Sequence, residues 1–292
     1  MAAAAWLKSR PTAATCLERK GIRPLKAPLS CPVLKATVRC RVAAAAFRCA
    51  DAELISQTRR QPIAVGTEKL PLSFLKHAED QTVVALLTVL DALDAQDWHA
   101  KSFADWGVIA APSRFGRHGM AASILGYCKE GPWGVSPHVI PQQSFHAMSG
   151  AISQALKIHG PNFGVSGGPN PGPDGILLAA AMLADGNLPG LWLLVTGHES
   201  EWIPSADGQP SPPPVCNALA LALTPTDTEA VGLQLEVGQL ERPLDCDSAI
   251  GHLPEFHLGL FADEWSRSAG MPTGRWRVGD AHWLDIEARG EE

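Results

Sequence analysis

Gly160-Pro-Asn-Phe-Gly-Val-Ser166, a loop rich in glycine and proline, an apolar run over 176–184 and Leu191-Trp-Leu-Leu-Val-Thr-Gly197 follow one another, the last two six residues apart. The last of these is short, continuous and apolar, as a strand buried on both faces must be. Residues 176–184 have a helix's composition. The preceding Pro169-Asn-Pro-Gly-Pro173 is expected to delay that helix to Asp174, a good N-cap. Strand, loop, helix and buried strand are the beginning of an α/β layer.

The same alternation continues on both sides. Upstream, residues 106–111 form a second buried strand closed by Pro112, and 145–158 a helix ending at His159-Gly160-Pro161. Residues 74–93 carry apolar side chains at 83, 84, 86, 87, 90 and 93, which is helical spacing, with Glu79 and Asp80 where the helix dipole favours anions. Downstream, 217–223 and 230–237 read as strands, and the proline run within 205–214 as an exposed loop. From Arg242 the pattern fades, and only 256–265 keeps helical character. The expected division is a basic opening segment, 1–60, belonging to the domain; a body, 61–240; and a short tail, 241–292.

Composition excludes several classes of function. At 292 residues and 46% hydrophobic the chain can bury a large core, so it is neither disordered nor fibrous. Residues 1–60 hold twelve Lys or Arg against Glu18, Asp51 and Glu53, a net charge of +9, which leaves −15 on the rest. An acidic body offers no footprint for nucleic acid. The longest apolar stretch is interrupted by Asp185, Asn187 and Pro189, so no membrane span is expected. Seven cysteines, an odd number, do not suit a secreted disulfide framework, and a cytoplasmic protein with free thiols is expected. Cys16, Cys31, Cys40 and Cys49 lack the close spacing of a zinc site. Four prolines between residues 11 and 32 leave no clean targeting helix, and a short strand over 36–42 is expected instead. A tail or a targeting segment are the alternatives for this opening.

Four landmarks carry a more specific signal: Gly131-Pro-Trp-Gly-Val-Ser-Pro-His-Val-Ile-Pro141, Ser149-Gly-Ala-Ile-Ser153, Gly160-Pro-Asn-Phe-Gly-Val-Ser166 and Leu193-Leu-Val-Thr-Gly-His-Glu199. In that order and spacing, residues 70–225 resemble the N-terminal half of a β-ketoacyl synthase of the thiolase-like superfamily. The resemblance implies an α/β fold with a mixed sheet, helices on its faces, and a C-terminal half that is missing or much reduced. It implies a role in fatty-acid or polyketide synthesis, and as partners an acyl-carrier protein and a full-length synthase. A homodimer or heterodimer is implied too, because such proteins pair edge to edge through the strand beside the nucleophile.

Two departures bear on activity. In the family Val-Ser is followed by Thr-Ala-Cys, and the cysteine accepts the acyl chain. Here Val165-Ser166 is followed by Gly167-Gly168-Pro169, so Pro169 stands at the cysteine's position. Proline has no side-chain heteroatom and forms no thioester. The residues after Val237 are too few for a second βαβαβ unit, and His252, His257 and His282 do not match the family's histidine motifs. The expectation is a catalytically degenerate, accessory chain without condensing activity of its own.

Other chemistries find weaker support. Gly164-Val-Ser-Gly-Gly168 matches Gly-x-Ser-x-Gly, making Ser166 an alternative nucleophile for acyl transfer or hydrolysis, with Asp185, Asp227, His198 and His252 as possible partners. That motif needs a strand before the serine and a helix immediately behind it, which the prolines oppose. A non-catalytic acyl-binding module is a third reading. In His252-Leu-Pro-Glu255-Phe-His257, Pro254 breaks the helix a zinc motif requires, so no metal is expected. Glu199 reads as a hydrogen-bonding residue at a strand end, and Asp80 has no catalytic role. No nucleotide-binding glycine motif occurs, and no cofactor is expected. Trp265, Trp276 and Trp283 are expected to pack the tail onto the body.

Overall fold

Alanine and leucine alternate along residues 218–223, and that alternation sets the thickness of the two layers on either side of the sheet. The computed structural model describes residues 37–165, 168–199, 215–226, 232–239, 253–268 and 270–289. Cys16, Cys31, Ser166, Asp227, His252 and the proline run of 205–214 lie outside the described residues. The chain forms a mixed α/β fold around a sheet whose strands are ordered β5-β4-β6-β7-β1-β8-β10-β9. They are β1 (Val38–Ala50), β4 (Gly107–Pro112), β5 (Asn162–Gly164), β6 (Leu191–His198), β7 (Cys216–Pro225), β8 (Gly232–Gln239), β9 (Gly274–Val278) and β10 (His282–Arg289). β4 runs parallel to β5 and β6, and every other pairing is antiparallel. A separate small hairpin joins β2 (Ala64–Val65) and β3 (Glu68–Lys69).

On one face lie α2 (Asp80–Ala95) and α5 (His146–Leu156), and on the other α6 (Gly172–Ala184) and α7 (Leu258–Ser268). Ala218, Ala220 and Ala222 face α2 together with Ala44 and Ala46 of β1, so the helix sits close to the sheet. α2 is buried almost all round, from Gln81 to Leu93, with β1, β6 and β7 beneath it and α5 packed against it. On the opposite face Leu193 and Leu221 lie side by side in the β6–β7 register, under α6. A Cβ on Gly175 of α6 would lie 2.7 Å from the Cβ of Ala111, so only glycine allows this approach. A cluster of Trp98, Phe103, Trp106 and Trp192 closes the α2 side, with edge-on contacts such as Phe103 to Trp106 at 5.0 Å. Lys101 Nζ lies 3.5 Å from the centre of the Trp98 ring, and burial holds its pKa below the usual lysine value.

Three expectations need correction. The basic opening contributes far more than a short strand over 36–42. From Val38 it supplies thirteen residues of β1, central in the sheet, and then α1 (Ala52–Thr58). Asp51 caps α1 by accepting from Leu54 N at 2.8 Å. Residues 258–289 are not a simple tail: α7 packs on the sheet, and β9 and β10 extend it through eight paired positions between β10 and β8. Trp265 meets Phe47 of β1 at 6.1 Å, which packs this region onto the body, while Trp276 meets Phe261 of α7 at 5.7 Å within the region itself. Finally, α6 starts at Gly172 rather than at Asp174. Pro173 falls in its first turn, where a proline's fixed φ suits the helix and its missing N–H costs nothing.

The sequence reading gave no element between β4 and α5, yet the chain there forms α3 (Arg117–Glu130), a 3₁₀ turn (Gly131–Gly134) and α4 (Val139–Gln142). A Cβ on Gly126 would lie 2.4 Å from the Gly134 carbonyl oxygen, so the turn folds directly against the helix backbone. His138 stacks on His77 at 4.3 Å and ties this excursion to the body. No helix among the described residues is long and apolar enough to cross a membrane.

Candidate functional site

Parallel strands in an open α/β sheet leave a crevice beyond their carboxyl ends, and here β4 and β6 end together against the N-terminus of α6. The crevice is a cavity of about 240 Å³, lined by Pro169 and Asn170 at the start of α6. The loop after β4 (Ser113, Arg114, Arg117), the end of β6 (His198, Glu199), and Asn217 and His257 complete its walls.

Buried polar groups fix this geometry from below. Ser113 N donates to the Thr196 carbonyl at 2.7 Å, which extends the β4–β6 ladder by one residue. Ser113 Oγ donates to the Pro169 carbonyl at 2.7 Å, so this hydroxyl anchors the loop. The Gln81 side chain, wholly buried, donates to the Ser113 carbonyl at 2.9 Å and accepts from Thr196 Oγ1 at 2.7 Å. Glu79 caps α2 by accepting from Gln81 N at 2.5 Å, and its other oxygen lies 3.8 Å from His198 Nε2. One glutamine thus joins the start of α2 to both strands under the cavity. Gln81→Leu leaves the Ser113 carbonyl and the Thr196 hydroxyl without their buried partner. It is expected to lower stability by about 2–3 kcal/mol, measured by denaturant unfolding, against a few tenths for the exposed Gln57→Leu.

The other rim is held by Asn170, whose Nδ2 donates to the Phe256 carbonyl at 2.7 Å and approaches Glu255 Oε1 at 3.3 Å. Glu255 in turn pairs with Arg277 at 3.2 Å. The Phe256 ring is buried against Gly172, where a Cβ would come within 2.8 Å of it. Arg114 has φ of +50°, a left-handed conformation that turns the chain sharply at the cavity edge.

Pro169 lines this cavity, and among the described residues no cysteine lines it. Cys216, at the start of β7, is buried, and desolvation together with Glu79 and Asp80 raises its thiol well above the ordinary value. Burial pushes Cys40 up to about 12. Thiols held neutral in this way are poor nucleophiles. Ser166 lies outside the described residues, and α6 begins six positions after it, so no helix stands immediately behind that serine. Of its candidate partners, Asp227 and His252 also lie outside the described residues, Asp185 is at the far end of α6, and only His198 reaches the cavity.

Glu199 accepts from Asn217 Nδ2 at 3.4 Å and its N–H donates to the Val215 carbonyl at 2.9 Å, a strand-end role. Asp80 pairs with Arg59 at 2.6 Å. His257 Nδ1 accepts from Gly259 N at 3.2 Å, while His282 lies in β10, opposite Gln239 and Val278 and away from the cavity lining. Among the described residues no three His, Cys, Asp or Glu side chains converge as metal ligands. Arg114, Arg117 and Asn217 were not legible as site residues, because only the folding of β4, α3 and β7 around one crevice brings them together.

No family model matches the chain, and no curated protein matches it. It is similar to several solved structures. One is a type II polyketide acyl-carrier protein in complex with its ketosynthase bound to the hexaketide, at 16% identity and a TM-score of 0.45, covering 65% of this chain and 63% of that one. This chain therefore spans less than two thirds of the length of the chain it matches there. A second is a ketosynthase in complex with its chain length factor from Xenorhabdus doucetiae, at 11% identity and a TM-score of 0.47, covering 87% of this chain and 97% of that one. The ishigamide ketosynthase/chain length factor matches at 15% identity and a TM-score of 0.48, covering 80% and 74%.

Proposed function

We propose that this chain is a ketosynthase-like subunit that does not condense acyl groups itself and works by pairing with a cysteine-bearing synthase in fatty-acid or polyketide synthesis. The observation that carries the reading is Pro169. In the residue-by-residue match of the motif it takes the position of the family's acyl-accepting cysteine, and it offers no nucleophilic atom. A ketosynthase paired with a chain length factor, as named for two of the similar structures, is the kind of assembly proposed.

The chain's surface supports a partner on the β5 side. β5 is a three-residue strand at the edge of the sheet, and among the described residues only β4 pairs with it. An unpaired edge is a template for strand addition. The excursion that follows β4 exposes apolar side chains: Met120, Ile124 and Tyr127 form a stripe at helical spacing on α3, and Trp133 and Ile140 project from the turns beyond it. Phe163 adds an exposed ring on β5 itself. Exposed apolar side chains gathered in one part of the chain suit a partner surface. The cysteine-bearing synthase is the occupant proposed for it.

Purification of the tagged full chain from its own cells under mild conditions tests this. A ketosynthase carrying the active-site cysteine, identified by mass spectrometry and present at a one-to-one ratio, is the expected result. A chain recovered only as a monomer or a homodimer contradicts the reading.

A further inference from the structure

We infer that Lys101 captures a small aliphatic aldehyde and holds it as a protonated imine in a second cavity, between the β2–β3 hairpin and the ends of α2 and α5. This goes beyond the partner reading and does not depend on it. The cavity lies before the amino ends of β4 and β5, whereas the crevice lies beyond the carboxyl ends of the parallel strands.

Backbone contacts fix the walls. A Cβ on Gly66, at φ of +58°, would lie 2.5 Å from the His99 carbonyl oxygen, so the hairpin tip is pressed against the loop that carries Lys101. His159 N donates to the Ala104 carbonyl at 2.8 Å, which joins that loop to the chain entering β5. Lys157 is paired with Glu68, so neither charge is open to a ligand. Leu93, Ala155 and Leu156 add an apolar lining. The volume is about 390 Å³, room for about thirteen groups of the ~30 Å³ that a water occupies in the liquid. An alkyl chain of about six to eight carbons fits that space.

Lys101 is the reactive group. Among the described residues nothing gives its ammonium a hydrogen bond or an ion pair. It lies instead 3.5 Å from the centre of the Trp98 ring, 4.7 Å from that of Trp106 and 5.6 Å from that of Phe103. The residue is exposed, so a ligand reaches the nitrogen. Burial of part of the side chain holds its pKa below the usual lysine value, which raises the share of neutral, nucleophilic amine.

The amine adds to the aldehyde carbon, and the carbinolamine so formed loses water to give C=N. The carbonyl oxygen leaves with two of the three ammonium protons. The imine nitrogen keeps the third proton and the single positive charge, and no oxidant or reductant is consumed. That charge stays where three aromatic rings already hold it, so the rings favour the protonated imine as they favour the ammonium.

Treating the full chain with hexanal and cyanoborohydride at neutral pH, followed by peptide mapping, tests the inference. The reagent delivers hydride to the imine carbon and fixes each adduct as a secondary amine. Lys101 should be alkylated about tenfold or more faster than the exposed Lys76 and Lys129. Its rate with hexanal should exceed that with propanal about fivefold or more, because three further methylenes enter the cavity, while Lys76 and Lys129 show no such preference. Lys101→Arg keeps a cation over the rings and should lose the fast adduct with an unchanged melting temperature. Equal rates at the three lysines, no preference for hexanal at Lys101, or a fast adduct that survives Lys101→Arg would each overturn the proposal.

Discussion

Ile124→Glu should cost the complex with the cysteine-bearing synthase about thirtyfold or more in affinity while leaving the melting temperature of the isolated chain unchanged. Ile124 lies in the middle of the α3 stripe between Met120 and Tyr127 and is 59% exposed, so its own fold gains little from it. Surface substitutions away from buried features change stability by no more than about 0.5 kcal/mol. At the centre of an interface, a carboxylate in place of an apolar anchor loses the contact and also buries an unpaired charge, so about 2 kcal/mol is a lower bound. Trp133→Ala makes the same case by truncation. An indole 94% exposed contributes almost nothing within this chain, whereas tryptophans central to interfaces are among the costliest to remove. Unchanged affinity in both variants, measured by calorimetric titration, would place the partner surface elsewhere.

Trp192→Ala should be the most damaging single change to the fold, at about 3–5 kcal/mol in denaturant unfolding. Trp192 is fully buried in β6, with ring contacts to Phe103 at 5.8 Å and Trp106 at 6.4 Å. The strand lies between two helical layers, so the walls of the resulting cavity cannot collapse easily. Trp192→Phe separates volume from polarity. The indole Nε1 is buried without a hydrogen-bond partner, so phenylalanine removes an unsatisfied donor as it removes volume. Its cost should be clearly smaller, about 1–2 kcal/mol. An equal loss in the two variants would contradict the packing account, because alanine removes far more of the buried volume than phenylalanine does.

The elements that sequence reading placed well are those whose burial is one-dimensional. β4 and β6 are buried at nearly every position, and a continuous apolar run is the whole signal. α2 kept helical spacing although tertiary packing buried nearly all of its circumference. β1 was only partly legible, because Ala43-Ala-Ala-Ala46 has poor strand propensity and becomes a strand only where small side chains let α2 approach. β9 and β10 did carry a signal: Trp276 and Val278, then Leu284 and Ile286, alternate with charged residues at period two. They were passed over because they are short and follow a stretch without pattern. α3 offered no amphipathic stripe toward the core: its large apolar side chains Met120, Ile124, Leu125 and Tyr127 are all exposed.

The site divides in the same way. Pro169 was readable because a motif fixed its position, and Glu199 because it closes a strand. Gln81 and Asn217 were not, since each becomes part of the site through a fold contact far along the chain, Gln81 to Thr196 across 115 residues.

Intact-mass measurement of the purified pair after incubation with an acyl thioester tests the central claim most directly. The account predicts that the synthase gains the mass of one acyl group, lost on mutation of its cysteine, while this chain's mass is unchanged. An acyl adduct on this chain, removed by Ser166→Ala, would contradict it.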